Sequence, residues 1–430
     1  MTSRAPSNRR LVIVVRADPV ICGHAGEARN LAEVAVHRGF DDVRIVTWPM
    51  ATLQASGLPI KPLHSVLPYS PGITVERPEG VGDYRVPDGR VVEGITGRLV
   101  ELFTDGVPTV AMSLYLTPHT TAVIAALAAA QSSGAPIDVT TIAEAVGSDI
   151  TNVVRSCVDT GRFGAAVRLL ATYLANERCV AVSEFTRQLI IDSAVELDRS
   201  HGTAFAGVCE ERIDVSYPAI DSRAFTGRDP RDTAAALARR GLRPGGYALF
   251  LSRLTKAKGV DDLIDAYARS RARHDVDLVI AGNGPEAVNL RAQAATSGAS
   301  DRITFLDDVP DTEKPHLMAG CAAFVLPSKP RPEFVETFGI ALAEKMLAGG
   351  GPVITCPTGG ILEAVGDTAV IVPPGSAHAL REALDFVVGE MTPTERVRRA
   401  TAARNHAMQF DRERVFDNLF DSLEPSIVAA

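Results

Sequence analysis

The sequence is poor in what several function classes require. It has one tryptophan, 5% aromatic residues and few lysines, and its first half offers no basic, aromatic-rich amphipathic segment suited to a membrane surface. Positive charge is also short: the formal net charge is −8 and the pI near 5.7. That argues against nucleic acid or an anionic membrane as the main partner and leaves room for a local basic pocket. Long hydrophobic runs are missing. The longest, "TAVIAALAAA" at Thr121 to Ala130, is far short of the ~20 residues of a membrane span. The "LVIVV" after the polar start "MTSRAPSNRR" is too short for a signal-peptide core. Six scattered cysteines (Cys22, Cys157, Cys179, Cys209, Cys321, Cys356) form no CxxC, and most sit in apolar runs, as reduced buried cysteines do. A cytoplasmic protein is expected. No repeat and no low-complexity segment is found.

What is present is an ordinary globular composition, 46% hydrophobic and 22% charged, in 430 residues, enough for two or three domains. Short β-branched runs alternate with longer helical patterns. "LVIVV", "VRIVTW", "TVAMSLYL", "IDVTTI" and "CVAVS" read as buried parallel strands of the first half; "YALFLS", "VDLVIAG", "RITFL", "AAFVLPS", "GPVITC" and "TAVIVPP" repeat the scheme in the second. The pattern predicts an α/β protein of two doubly wound domains, 1–220 and 221–407. In the tail, 408–430, Val415, Phe416, Leu419, Phe420 and Leu423 form one helical stripe that must dock. "SVLPYSPGITVERPEGVGDYRVPDGRVVEG" (Ser65 to Gly94) reads as an insertion or extended loop.

Candidate ligand residues stand where strands end. "ADPVICGHAGEARNLAE" places Gly23 and Gly26 at a helix start, where free N–H groups suit an anion. The first glycine of a dinucleotide fingerprint is missing, and no acidic residue closes "VRIVTW" to hold a ribose; these glycines equally suit a tight turn. "FLSRLTKAKG" sets Arg253 and Lys258 five apart beyond a strand, fit for a diphosphate or for a solvated loop. Gly282 and Gly284 in "VIAGNGPE" allow close backbone approach to a ligand. "EFVETFGIALAEKMLAGG" holds Glu336 and Glu344. On one helix they would lie ~12 Å apart, too far for a glycosidase pair at ~5–9.5 Å. Phe338-Gly339-Ile340 reads as the helix start, which leaves Glu336 in the loop. Two separated acceptors suit hydroxyls on different sugars of one ligand, or a solvated face.

"ETFGIALAE" followed by "GGGPVITCPTGGILEAV" resembles the E-x7-E signature of the family 4 retaining glycosyltransferases, and "SRLTKAKG", "VIAGNGPE", "AAFVLPS" and "VAVSEFTRQLI" follow that family's order and spacing. The resemblance covers most of 245–375, and 11–48 and 178–225 more loosely. It implies a GT-B fold, two Rossmann-like domains facing across a cleft, with a C-terminal helix crossing back. The first domain would bind the acceptor and the second a nucleoside-diphosphate sugar. By that resemblance Arg253 and Lys258 clamp the diphosphate and Glu344 accepts from the ribose. Glu336 and the N–H groups of Phe338 to Ile340 hold the transferred sugar, while Gly23 approaches the donor from the first domain.

Two departures stand out: Cys22 replaces the first of a glycine pair, and "DVTTIAEAVGSD" lacks the family's V-T-x-H histidine. His119, His24 and Glu144 are the candidates for that side, each equally readable as an ordinary residue. No DxD stands at a strand end, so no metal is expected, and Arg/Lys and helix N-termini would stabilise the leaving group. The expectation is a retaining, metal-independent transferase needing no cofactor. Its donor carries UDP or GDP, its acceptor is a small molecule of a bacterial natural-product or thiol/cyclitol pathway, and nucleic acid and membrane are not partners. A homodimer is left open. A sugar-nucleotide 2-epimerase, or a non-catalytic nucleotide-sugar-binding subunit, are the alternatives.

Overall fold

The computed structural model describes residues 9–82, 89–332 and 334–421. The chain divides into two compact units, Met1–Ala219 with Arg412–Ala430, and Ile220–Asp411. The first holds seven strands, β1 (Arg10–Val14), β2 (Asp42–Val46), β3 (Ile73–Glu76), β4 (Thr109–Leu114), β5 (Val139–Ala145), β6 (Arg178–Ala181) and β7 (Ile213–Val215), in the order β3-β2-β1-β4-β5-β6-β7. The second holds β8 (Tyr247–Leu251), β9 (Asp277–Ala281), β10 (Ile303–Leu306), β11 (Ala323–Leu326), β12 (Val353–Thr355) and β13 (Val370–Ile371), ordered β10-β9-β8-β11-β12-β13. Both sheets are parallel throughout the described pairings. These are the two doubly wound α/β sheets the strand pattern predicts.

The central strands show why the runs lack polar alternation. All five residues of β1 are buried. Leu11 and Ile13 pack with Leu31 and Phe40 on one face, while Val12 and Val14 pack with Leu99 and Phe103 on the other. A parallel strand covered on both faces needs a continuous apolar run. Strand order reverses between β1 and β4 and between β8 and β11. Loops leaving the carboxyl ends of those strands diverge there, and that is where open α/β sheets bind ligands.

One expectation is corrected. Within the supposed insertion at Ser65 to Gly94, Ile73–Glu76 forms β3 and pairs parallel with β2, and Gly89–Thr104 is a helix; residues 83–88 lie outside the described ones. An edge strand of four half-exposed residues carries too little hydrophobic pattern to stand out.

The Arg412–Phe420 helix belongs to the first unit. Its Val415, Phe416, Leu419 and Phe420 are buried, and the Phe40 ring meets Phe416 and Phe420 edge-on at 6.2 and 5.8 Å. Leu423 lies outside the described residues. Inside the second unit the outgoing and returning chain run side by side: Ile220 N–H donates to Phe410 O at 2.9 Å and the Ser222 hydroxyl to Asp411. All six cysteines are free thiols. Among the described residues no helix is long and apolar enough to cross a membrane.

Candidate functional site

In the second unit, the loop after β8 turns through a short helical turn at Lys256–Lys258 and brings Lys258 inward, where it is only 5% exposed. A buried ammonium requires an anion, and it has one: Lys258 Nζ donates to Glu336, in the loop after β11. The Ser328 hydroxyl approaches the same carboxylate at 3.4 Å. Phe334 gathers the cations, its ring centre lying 5.2 Å from Lys258 Nζ and 6.0 Å from Arg253 Cζ, within reach of a cation–π contact. Arg253 itself is exposed. Gly360 N–H donates to Glu336 O at 3.0 Å. A Cβ on Gly359 would stand 1.9 Å from that oxygen, with φ +58°. The glycine pair after β12 therefore lets its loop lock the backbone that presents Glu336.

Gly339, at φ 100°, caps the Ile340–Ala348 helix, whose start falls within the Phe338-Gly339-Ile340 stretch read from the sequence. Phe338 is core: 2% exposed, with its ring edge-on to Phe410 at 4.9 Å. Glu344 sits more than one turn inside the helix and pairs with Lys314 Nζ at 3.3 Å. Burial works against the Lys314 ammonium, yet Glu344 and Asp311 hold it above its usual value. The two glutamates thus have different cation partners, Lys258 and Lys314.

Lys314, Ser328 and Phe334 escaped the sequence reading. A signal for Lys314 existed: all lysines but Lys61 lie between Lys256 and Lys345.

Gly282 and Gly284 lie against the protein's own backbone. Their Cβ atoms would stand 2.0 Å from Ser252 O and 2.3 Å from Leu254 O. The close approach they permit includes one to the protein's own β8 loop. They shape the loop that carries Arg253 and Lys258.

In the first unit the residues converge at the β1/β4 reversal. Gly23 opens the Gly23–His37 helix and is exposed, with Cys22 Sγ accepting from Ala25 N–H at 3.4 Å. His24 and His119 flank Tyr115 at ring distances of 6.2 and 6.1 Å. Tyr115 has φ 92° and the Arg16 guanidinium 5.0 Å from its ring centre. A non-glycine residue held there is strained, as functional loops often are.

His119, however, is 2% exposed, and its Nε2 accepts from Trp48 Nε1–H at 3.1 Å. Burial, then the charges of Arg16 and His24, pull it down to about 3. It stays neutral at physiological pH and is a weak base, with its Nε2 lone pair already engaged by Trp48. Glu144 is 1% exposed and shares its surroundings with buried Glu27. Burial first, then Glu27, pushes Glu144 well up.

Among the described residues no three His, Cys, Asp or Glu side chains are grouped to hold a metal ion. The second unit's sheet thus presents, beyond its carboxyl edge, two lysine–carboxylate pairs and an exposed arginine, able to receive anionic and hydroxyl groups of one ligand.

Comparison with known families decides what this edge belongs to. Residues 243–406 match the family described as glycosyl transferases group 1. That segment is a group 1 glycosyltransferase domain. It contains Arg253, Lys258, Glu336 and Glu344, so the resemblance carried by the E-x7-E stretch holds. Relatives include 2-deoxystreptamine glucosyltransferase of Streptomyces kanamyceticus, 28% identical over 193 residues, 44% of this chain and 48% of the relative. D-inositol 3-phosphate glycosyltransferase of Frankia alni is 32% identical over 191 residues, 42% of this chain and 44% of the relative. The chain thus spans about half the length of the curated relatives it matches.

Solved structures similar over the full length include Anabaena HepE in complex with UDP and glucose, with TM-score 0.66, 18% identity, and 97% and 99% of the two chains covered. The glycosyltransferase WaaG gives TM-score 0.64 at 16% identity, covering 96% and 99%. This likeness assigns the fold, GT-B, to the group 1 domain and the unit preceding it.

Proposed function

We propose that the protein is a retaining, metal-independent glycosyltransferase that moves a sugar from a nucleoside-diphosphate sugar to a small polyhydroxylated acceptor, without a cofactor, in the cytoplasm. The observation that carries the reading is the Lys258–Glu336 pair, a desolvated cation and carboxylate at a strand-end loop of a group 1 domain. When a donor arrives, Lys258 and Arg253 receive the diphosphate, and Glu336 exchanges its ammonium partner for sugar hydroxyls. Glu344 accepts from the ribose. The bond from the anomeric carbon to the diphosphate oxygen breaks and its electron pair leaves with the diphosphate, whose growing charge the two cations stabilise. The acceptor oxygen bonds to the anomeric carbon on the same face and passes its proton to a donor phosphate oxygen. The first unit supplies the acceptor side, with His24 and Tyr115 at its β1/β4 reversal.

Relatives support the donor and acceptor classes. One similar structure holds UDP and glucose, another relative is named GDP-mannose-dependent, and two are named for 2-deoxystreptamine and inositol 3-phosphate, both cyclitols. These names support a cyclitol acceptor in a bacterial natural-product or small-thiol pathway.

Calorimetric titration with UDP, GDP and ADP, with and without magnesium, tests the donor site. One nucleotide is expected to bind, UDP or GDP, indifferent to the metal; binding by none of the three overturns the reading. Lys258→Ala is expected to weaken that nucleotide by roughly 1.5–3 kcal/mol, the worth of a charge-assisted contact. It also leaves Glu336 an unpaired buried carboxylate, so unfolding should become easier by on the order of 3 kcal/mol. Unchanged affinity in calorimetry would remove Lys258 from the clamp.

A further inference from the structure

A cavity of about 520 Å³ lies in the second unit and shares no lining residue with the Lys258–Glu336 site. Its walls include Arg223, Arg228, Asp229, Asp232, Arg239 and His316. The decisive residue is Arg228. Its guanidinium is half-buried and no carboxylate pairs with it among the described residues. One nitrogen donates to Ala224 O, another lies 3.1 Å from His316 Nε2, and Nε is buried without a partner.

Since arginine only donates, His316 Nε2 must accept, which puts the imidazole proton on Nδ1, 3.1 Å from the Thr233 hydroxyl. His316 is therefore neutral, as burial first and the neighbouring Arg228 charge also require. It orients Arg228 without neutralising it. Arg239, exposed on the same wall, makes no side-chain hydrogen bond or ion pair among the described residues.

A half-buried guanidinium without a counter-charge is costly, and the missing partner is an anion. Arginine's fork matches phosphate oxygens. Asp229 and Asp232 on the same walls would repel a second anionic group but accept from hydroxyls. The volume falls in the range of small-metabolite sites, ~300–1,000 Å³. We propose that this cavity binds a phosphate monoester of a polyhydroxy metabolite, with Arg228 and Arg239 on the phosphate and Asp229 and Asp232 on the hydroxyls.

The test is calorimetric titration of the full chain with glycerol 3-phosphate, with glycerol as the uncharged control. Saturable binding of the phosphate ester alone is expected. Arg239→Gln and Arg228→Gln should each weaken it at least about tenfold, the loss of one charge-assisted contact. Arg231→Gln, an exposed arginine of the Pro230–Ala238 helix that does not line the cavity, and Lys258→Gln should leave it unchanged. Arg239 is exposed and unpaired, so its variant keeps the test valid should Arg228→Gln fail to fold. No saturable binding, or binding that survives Arg239→Gln and disappears in Lys258→Gln, would overturn the proposal. The outcome does not depend on whether the protein transfers sugar.

Discussion

Glu336→Ala is expected to abolish sugar transfer while nucleoside diphosphate binding is retained or tightens. The two effects part because Glu336 has two roles in the proposed cycle. Before the donor binds, it neutralises Lys258, the side chains being 11% and 6% exposed. Once the diphosphate takes Lys258, the carboxylate is free to hold sugar hydroxyls and fix the anomeric carbon against the acceptor. Alanine removes that positioning, and misplacement of a reacting centre by about 1 Å costs on the order of a hundredfold. The same change leaves Lys258 without its internal competitor, so the diphosphate meets an uncompensated cation. Steady-state turnover alongside calorimetry of the nucleotide reads both. Unaltered turnover would take Glu336 out of the site. Loss of nucleotide binding would instead make it a structural prop for Lys258.

How much of this was legible beforehand depended on where each element stands. Central strands such as β1, β8 and β11 read directly, since burial on both faces demands an unbroken apolar run. The edge strand β3, with none of its four residues fully buried, has no such demand on it, and its sequence reads as insertion. The C-terminal stripe announced a docking helix, because four large apolar residues on one face cannot stay in water.

The site was harder. The residue types at the strand ends were visible, but their partners were not: Lys258 and Glu336 are 78 residues apart, and Lys314 and Glu344 are 30 apart. Pairing at that range is decided by loop geometry. Gly282 and Gly284 show the same limit. A glycine records that something comes close, and only the fold reveals that the neighbours are Ser252 O and Leu254 O. Nothing near His119 in sequence indicates that Trp48, 71 residues away, takes its Nε2.

The buried carboxyl pair of the first unit makes the other large prediction, this one in stability. Glu27, on the Gly23–His37 helix, is 3% exposed, and Glu144, near the end of β5, is 1% exposed. Two carboxylates cannot both ionise in such a place. Burial pushes Glu27 up to about 7 from 4.5, against the hydrogen bonds it accepts from Ala219 N–H and from Glu144. Below 4.5 the residue is protonated whether the chain is folded or not, and its contribution is fully present. As pH rises from 4.5 the unfolded chain ionises its glutamate first, and the contribution declines until the folded one ionises near 7, beyond which it is gone.

Glu27→Gln has nothing to ionise, yet keeps an oxygen for Ala219 N–H, which Glu27 Oε1 accepts at 3.2 Å. The stability of the native protein relative to this variant should therefore fall by on the order of 3 kcal/mol between pH 4.5 and 8, as read from urea unfolding at stepped pH. Parallel curves would mean that the pair carries no shared proton. The position gives the effect a structural address: Ala219 is the last residue of the first unit before the chain enters the second. Asn30 Nδ2 donates to the Ala219 carbonyl at 2.8 Å. One helix thus grips both sides of that residue, and its hold on the N–H depends on a carboxyl group that keeps its proton to near neutrality.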